Sequence, residues 1–235
     1  MFSSYFAIFL RNLFRKFGFL YIIRKTNLFN FYSGKYEEKF DLAMQKSLSE
    51  GLTVFDIGAN VGFYTEKFAE KVGSEGHIYA FEPTSKSANI IKLLKKKFPW
   101  ITVVETAVGD FSGKVLFDES ASNSSSPTNK IIIKNQSDSK NCKEKKIDTI
   151  DSLVEKYKVP NFIKIDVEGF ELNVLRGAKR TLKNNNLKHV FVEIHFALLN
   201  QRGMPFAAKE IKKILENSGL KVEYSDFSHL HAYRS

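Results

Sequence analysis

The stretch that decides the fold is "VFDIGANVGFYTEKFAE", residues 54–70. An apolar run leads into Asp56, two glycines follow as Gly58 and Gly62, and apolar residues then recur at helical spacing. A strand, a glycine turn and a helix start in this order leave backbone N–H groups free for a ligand beyond the end of the strand. We expect Gly58 to permit the tight turn, and Gly62 to permit a close helix–strand or backbone–ligand approach.

Apolar runs and helical patterns alternate from residue 51 onward. This alternation predicts an α/β fold, in which helices cover both faces of a mostly parallel sheet. The stretch 118–146, rich in Ser, Asn and Lys, predicts a hairpin and loop inserted after the third strand unit. The predicted strands are 53–57, 77–81, 101–104, 162–166, 189–194 and 220–224, and the predicted helices are 62–72, 85–97, 169–183 and 207–217.

The nature of the cofactor follows from one acid and one missing glycine. Glu82 ends the second strand in "IYAFEP" (78–83), where an acid can accept hydrogen bonds from a ribose diol. Asn60 stands where a dinucleotide fingerprint has its middle glycine, which a pyrophosphate requires. S-adenosylmethionine has no phosphate; we expect Asp56 beside its ammonium and Asn60 at its amino-acid part. The alternative is an ordinary tight turn in an unrelated α/β protein.

Five motifs, in this order, resemble the FkbM family of S-adenosylmethionine-dependent methyltransferases. The resemblance implies a class I methyltransferase (Rossmann-like) fold with seven strands, the last antiparallel. It also implies O-methylation of a hydroxyl on a sugar, glycan, glycolipid or related metabolite. The motifs are "VFDIGANVGFYT" (54–65), "IYAFEP" (78–83), "TAVGD" (106–110), "TIDSL" (149–153) and "KIDVEGFELNVLRGA" (164–178).

The resemblance also assigns cofactor-binding residues. It matches Glu82 to the ribose-binding acid and places Thr106 and Ala107 where the adenine ring would lie. Asp110 either bonds the adenine edge or closes the turn. The residues that match the family's cofactor loop are Asp56, Gly58, Asn60 and Gly62.

Ionisable side chains gather at the ends of two predicted strands: Lys164, Asp166 and Glu168 on one, Glu193 and His195 on the next. Their alternation predicts that they point to one side, at the mouth of the crevice. Transfer of a methyl group to an alcohol needs a general base. We rank Glu168 first and His195 second, the latter because the unperturbed pKa of histidine is about 6.5. Glu193 would serve if burial raised its pKa.

The same five residues could have structural or metal-binding roles instead. Lys164 is expected either to steady developing negative charge or to pair with Asp166. Asp166 would alternatively cap the next helix, Glu193 pair with a lysine, and His195 only pack. The acids and the histidine are also ligand types that suit Mg²⁺ or Mn²⁺. Because their spacing is no recognised metal motif, we assign no metal ligand.

The N-terminal segment differs from the rest of the chain. Residues 1–36 hold six basic residues and no acid, beside a phenylalanine-rich stripe, whereas the remainder has a net charge of +4. The stripe is too interrupted to span a bilayer. It predicts either a helix lying on the inner face of an anionic membrane, or packing on the domain or a second subunit. We divide the chain into a basic helical arm, 1–50, and a methyltransferase domain, 51–235.

Composition bounds the function further. Cys142 is the only cysteine, which excludes an intramolecular disulfide and favours the cytoplasm. The net charge of +10 raises the alternative of a nucleic-acid methyltransferase. The loop after the fourth strand reads "DVEG", where an amino-directed enzyme of that class would show an N-P-P-[YF]-like stretch. A non-catalytic membrane or assembly factor is the third alternative, but the intact motifs argue against it.

Overall fold

The computed structural model describes residues 34–118, 130–132 and 142–234. The strands in this part of the chain are β1 (Thr53–Ile57), β2 (His77–Phe81), β3 (Ile101–Val104), β4 (Ala107–Gly109), β5 (Gly113–Asp118), β6 (Lys130–Ile132), β7 (Cys142–Thr149), β8 (Phe162–Ile165), β9 (His189–Glu193), β10 (Lys221–Tyr224) and β11 (His229–Tyr233). The α-helices are α1 (Gly34–Lys46), α2 (Phe63–Val72), α3 (Ser85–Leu94), α4 (Ile150–Lys156), α5 (Glu171–Arg176), α6 (Phe196–Gln201) and α7 (Ala207–Asn217), and a 3₁₀ helix spans Thr181–Lys183.

The main sheet has seven strands in the described residues, in the order β10-β11-β9-β8-β1-β2-β3. All neighbouring pairs are parallel except those of β11, which runs antiparallel to both β9 and β10. This arrangement confirms the α/β class and the antiparallel last strand. The strand order reverses between β1 and β8, so the ligand crevice of such a sheet lies at their carboxyl ends. Register aligns Asp56 with Lys164 across this junction.

The predicted strands agree with the observed ones to within a residue, and helix 207–217 is observed with those bounds. The single helix predicted over 169–183 is wrong. Helix α5 ends at Arg176, and a turn separates it from the 3₁₀ helix. Gly177 explains the break, because a Cβ there would lie 2.0 Å from the carbonyl oxygen of Gly109 in β4. The backbone after α5 therefore contacts the backbone of β4 directly, at a position where any other residue would place its side chain.

The predicted insertion is part of a second sheet. In the described residues its order is β4-β7-β5-β6, and β5 pairs antiparallel with β7 from Gly113↔Ile147 to Asp118↔Cys142. A hairpin is therefore present, but its first arm begins before residue 118 and its second continues to Thr149. The stretches 119–129 and 133–141 of the predicted insertion lie outside the described residues.

Helix α1 precedes the predicted domain boundary at 50/51, yet its apolar side chains pack in the core. Phe40 and Met44 are buried, and the ring of Phe40 lies 5.5 Å from that of Phe191 in β9. Residues 1–33, which hold most of the predicted arm and its phenylalanine stripe, lie outside the described residues. Among the described helices, none has the length and apolar character needed to cross a membrane.

Candidate active site

The glycine loop after β1 is fixed by close backbone contacts. Gly58 has φ +78°, and a Cβ at this position would lie 1.8 Å from the carbonyl oxygen of Asp166. Gly58 therefore permits the turn, as predicted, and lets the ends of β1 and β8 touch. Gly62 has φ +86° and faces the side chains of Ile91 and Leu94 on α3. It permits close packing of that helix instead of the expected helix–strand approach, and the expected approach of Gly62 to a ligand stays a prediction.

Most backbone N–H groups of this loop bond within the protein. Those of Gly58 and Ala59 donate to the carbonyl oxygen of Phe81 at 3.0 and 3.1 Å. The N–H of Asn60, a residue with φ +50°, donates to Glu82 Oε2 at 3.0 Å. The expectation of free N–H groups concerned the start of helix α2, so it stays a prediction, whereas these three loop groups are bonded within the protein. Their bonds tie the loop to the end of β2 and set its shape.

Glu82 is buried where β2 ends, as an acid that reads a ribose would be. Its Oε1 accepts bonds from the N–H and the hydroxyl of Thr84 at 2.9 and 2.6 Å. Burial raises the pKa of Glu82 to about 7, although the bonds from Thr84 and Asn60 oppose the rise. A carboxylate accepts about four hydrogen bonds. Oε2 therefore keeps a lone pair for one more donor.

Asp56 is fully buried at the end of β1, and its expected contact with the cofactor ammonium stays a prediction. Its Oδ2 accepts a bond from the Thr65 hydroxyl at 2.6 Å, and its Oδ1 lies 3.8 Å from Lys164 Nζ. Burial raises the pKa of Asp56, and Lys164 and Thr65 partly offset that rise. Asp56 thus joins the end of β1 to α2 and β8.

Lys164 is a buried cation between the loop and the strand-end cluster. Its Nζ donates to Asp166 Oδ2 at 3.3 Å. Burial lowers the pKa of Lys164, but the charges of Asp166, Asp56 and Glu193 outweigh it and the pKa is raised. Of the two roles expected for Lys164, the structure shows the pair with Asp166. A single ammonium therefore holds the ends of β1 and β8 together.

The strand-end cluster is centred on His195, whose side chain is 11% exposed. Its Nε2 lies 3.3 Å from Glu168 Oε2, 3.8 Å from Asp166 Oδ1 and 3.7 Å from Glu193 Oε1. The sequence analysis expected these side chains to converge, and they do. Lys164 reaches the same group through Asp166, so all five predicted residues are brought together.

Glu171 is a member of this cluster that the sequence analysis missed. It is fully buried, and its Oε1 lies 2.8 Å from His195 Nδ1 and accepts the N–H of Gly169 at 2.8 Å. The signal available in the sequence was an acid on the inward face of the predicted helix. The helix itself begins at Glu171 without a side-chain cap, so the alternative role of Asp166 as a cap is wrong.

The protonation of His195 differs from its expected state. Burial lowers its pKa, but the hydrogen bond to Glu171 and the charges of Glu168, Glu171 and Glu193 outweigh burial and raise the pKa to about 10. The value near 6.5 on which its rank as a base depended is therefore corrected. At neutral pH the ring is an imidazolium that offsets the surrounding carboxylates.

Glu168 lies in the cluster because its backbone adopts a left-handed conformation. Strand β8 ends at Ile165, and Glu168 has φ +52°, followed by Gly169 at φ +88°. Strand alternation, which the sequence analysis used to place Glu168, therefore does not apply to it. A non-glycine residue in this region is strained, and such strain is characteristic of functional sites.

A second histidine–carboxylate pair, His229 and Asp226, lies next to Glu193. His229 Nε2 lies 3.7 Å from Glu193 Oε2, and His229 Nδ1 lies 2.7 Å from Asp226 Oδ2. Burial lowers the pKa of His229, but Asp226 and Glu193 outweigh it and raise the pKa to about 9. The sequence analysis missed both residues because it did not predict β11. Glu193 thus faces two imidazoles, and its charge also raises the pKa of Lys164, so the lysine partner considered for it stays a prediction.

The residues expected around the adenine ring lie beside the second sheet. Thr106 is buried, and its hydroxyl bonds the carbonyl oxygens of Ala107 and Lys146 at 3.1 and 3.2 Å. Ala107 is buried at the start of β4. Asp110 Oδ2 accepts a bond from Asn173 Nδ2 at 2.9 Å, which ties β4 to α5. The adenine contacts of Thr106, Ala107 and Asp110 stay predictions.

Comparison with known proteins identifies this arrangement. The family model of the methyltransferase FkbM domain matches residues 56–225, which is more than half of the chain. The match contains the glycine loop, Glu82 and the strand-end cluster. The chain belongs to the FkbM methyltransferase family. The resemblance of the five motifs is thereby confirmed.

One protein is similar to this FkbM domain in sequence and another in fold. The hexuronic acid methyltransferase AglP of Haloferax volcanii is 27% identical over 173 residues, which are 72% of this chain and 64% of that protein. The chain thus spans just under two thirds of the length of this relative. A Clostridium thermocellum protein described as a putative rRNA methylase is similar in structure, with a TM-score of 0.55 and 13% identity, and the likeness covers 83% of this chain and 93% of that one. The second likeness concerns the fold alone.

S-adenosylmethionine is the cofactor of an FkbM methyltransferase domain, and the residues present fit it. The open lone pair of Glu82 Oε2 suits a ribose hydroxyl, and buried Asp56 Oδ1 has no hydrogen-bond partner in the described residues. The cluster carries four carboxylates, those of Asp166, Glu168, Glu171 and Glu193, against the two cations Lys164 and His195. Such an excess of negative charge favours a cationic methyl donor nearby.

Proposed function

We propose that the protein is an S-adenosylmethionine-dependent O-methyltransferase whose acceptor is a hydroxyl of a sugar, glycan, glycolipid or related metabolite. The observation that carries the proposal is the convergence of Glu168, Glu193 and His195 at the ends of β8 and β9. Lys164 connects this cluster to Asp56, next to the glycine loop. This link supports the proposal that the methyl donor and the ionisable side chains share one crevice.

The chemistry assigns a task to each part. A sulfonium is a good leaving group, so holding donor and acceptor in line supplies much of the rate. The acceptor alcohol must also lose its proton to a base within hydrogen-bond reach. We assign that proton to the pair of carboxylates flanking His195 Nε2, those of Glu168 and Glu193. His195, hydrogen-bonded to Glu171, positions them.

A sugar acceptor is supported by two further observations. AglP, the curated relative, is a hexuronic acid methyltransferase, so one protein of related sequence acts on a sugar acid. Phe196, next to His195, and Phe227, next to Asp226, stack at 6.1 Å and are 36% and 62% exposed. Exposed aromatic faces beside a polar site suit the C–H face of a sugar ring, which packs on the negative face of the aromatic system.

The test is transfer of a labelled methyl group from S-adenosylmethionine to fractionated glycans, polar lipids and RNA. The proposal expects label in a carbohydrate or glycolipid fraction, as a methyl ether that survives mild alkali. Label lost in mild alkali would identify a carboxylate acceptor instead of a hydroxyl. Label in RNA would support a nucleic-acid methyltransferase, and either result would contradict the proposal.

A further inference from the structure

Three different ligand atoms converge at the ends of β8 and β9. Asp166, Glu168 and His195 each offer one atom, and these three atoms lie within 4.8 Å of one another. Two are carboxylate oxygens and one is an imidazole nitrogen. The three come from the left-handed turn after β8 and from the residue before α6, both held by the sheet beneath them.

The separations match those of neighbouring ligands on one ion. Oxygen and nitrogen ligands lie about 2.0–2.2 Å from a first-row divalent ion. Two such neighbours are then about 3.0 Å apart in octahedral and about 3.5 Å apart in tetrahedral geometry. His195 Nε2 is 3.3 Å from Glu168 Oε2 and 3.8 Å from Asp166 Oδ1. Shifts of a few tenths of an ångström would bring all three atoms into coordination.

His195 Nε2 is itself an independent indication of a ligand. The atom is buried and has no hydrogen-bond partner in the described residues, although three carboxylates lie near it. On the other side of the ring, Nδ1 lies 2.8 Å from the buried carboxylate of Glu171. An ion at Nε2 would release the proton that the imidazolium carries there, and a carboxylate that accepts the Nδ1–H bond is the usual support of such a metal-bound histidine. Glu171 is in turn fixed by the N–H of Gly169.

We propose that Asp166, Glu168 and His195 bind one divalent first-row cation, of which Mn²⁺ is the best match, with Glu171 orienting the histidine. Carboxylates suit Mg²⁺ and Mn²⁺ alike, but the imidazole favours the softer transition metal. The binding site stands on these contacts alone. Its use in catalysis rests on the proposed function: the acceptor hydroxyl completes the coordination, the ion lowers the pKa of that hydroxyl, and Glu193 takes the proton.

The direct test is binding of Mn²⁺ to the full chain after treatment with chelator. Binding is measured as the loss of the free-ion signal in electron paramagnetic resonance. We expect one site in the native protein. Glu168→Gln and Asp166→Asn remove an anionic ligand and should abolish it, whereas Glu171→Gln should weaken it about 10–100-fold as a supporting contact. The control is Glu155→Gln, an exposed acid paired with Arg180, which should bind like the native protein.

Thermal unfolding provides a second readout for variants that are less stable. Mn²⁺ at 100 times its dissociation constant should raise the folding equilibrium constant of the native protein about 100-fold and leave that of Glu168→Gln unchanged. Absence of binding at millimolar Mn²⁺ would overturn the site, as would equal binding by all variants. Displacement of Mn²⁺ by S-adenosylmethionine would show that the carboxylates hold the cofactor's own cation, and would also overturn it.

Activity separates the two proposals. Methyl transfer to a sugar that persists in chelator, without Mn²⁺ binding, would refute the metal site and leave the proposed function standing. Mn²⁺ binding without transfer to any sugar or glycolipid would refute the function and leave the metal site standing.

Discussion

Glu82 is a buried acid that is both well hydrogen-bonded and raised in pKa. Its carboxylate is buried and accepts three hydrogen bonds, from Asn60 and Thr84, while burial raises its pKa to about 7. The group therefore titrates within the working range of the protein. A ribose hydroxyl donates to the ionised form more strongly than to the neutral acid. Cofactor binding is thus coupled to the ionisation of this one side chain.

We predict that affinity for S-adenosylmethionine rises with pH. The free protein is mostly protonated at Glu82 below pH 7, and binding selects the ionised form. Affinity should therefore increase about tenfold from pH 6 to pH 8 and level off above that. Isothermal calorimetry of Glu82→Gln is the control: its affinity should be lower and nearly independent of pH. A flat profile in the native protein would show that Glu82 does not read the ribose.

At the mouth of the site, the stacked pair of Phe196 and Phe227 tests the sugar acceptor. Phe227→Ala should raise the KM for a carbohydrate acceptor about tenfold, corresponding to the loss of about 1–1.5 kcal/mol of ring contact. Cofactor affinity should not change. Phe206→Ala, which removes a phenylalanine that is 79% exposed at the start of α7, is the matched control. Equal KM values for the two variants would remove the aromatic pair from the acceptor site.

At the scale of elements, the strand–turn–helix unit that contains the glycine loop was the most predictable part of the molecule. Apolar runs gave the strands 53–57, 77–81 and 101–104 because buried parallel strands are nearly continuous in apolar residues. Strand β11 was missed although "HLHAY" alternates histidine and tyrosine with leucine and alanine, a period that is typical of a strand. Its paired histidines acquire their burial only from α1 and the neighbouring strands, and no local pattern encodes that.

In the site, too, some features could be predicted from the local sequence and others depend on tertiary contacts. The sequence placed Lys164, Asp166 and Glu168 near Glu193 and His195 because parallel strand ends meet at one edge. The roles of Glu171 and His229 depend on contacts with residues 24 and 36 positions away in the chain, His195 and Glu193, and Asp226 reaches the site through His229. The raised pKa of His195 is another product of these contacts. Tertiary structure, not residue type, thus fixed the protonation of the site.

Two glycines of the loop provide a prediction at this scale. Gly58→Ala and Gly62→Ala both place a Cβ at positive φ, which costs about 1–2 kcal/mol. At Gly62 the new Cβ meets the ends of flexible Ile91 and Leu94 side chains. At Gly58 it overlaps the backbone of Asp166, so we expect a total cost of roughly 3–5 kcal/mol and loss of cofactor binding. Equilibrium unfolding in urea measures both; a larger cost at Gly62 would contradict the described loop.

At the scale of the whole molecule, charge is unevenly distributed. Residues 1–36 contribute six of the ten net positive charges. We predict that the intact protein cosediments with anionic vesicles more than a truncated protein beginning at Gly34, and that salt weakens the difference. Such binding would accord with a cytoplasmic enzyme on the inner face of the membrane. Equal sedimentation of the two proteins would instead support packing of this segment on the domain or on a second subunit.

The central claim is that methyl transfer occurs at the strand-end cluster, in the crevice that also holds the cofactor. The most direct measurement is single-turnover transfer of a labelled methyl group by the native protein and by Glu168→Gln and Glu193→Gln, with S-adenosylmethionine affinity measured on the same samples. The account predicts that removal of the base slows transfer by roughly 10²–10⁴-fold while cofactor affinity stays within about twofold. Near-normal transfer in both variants would contradict it, because the cluster would then be structural and positioning alone would supply the rate.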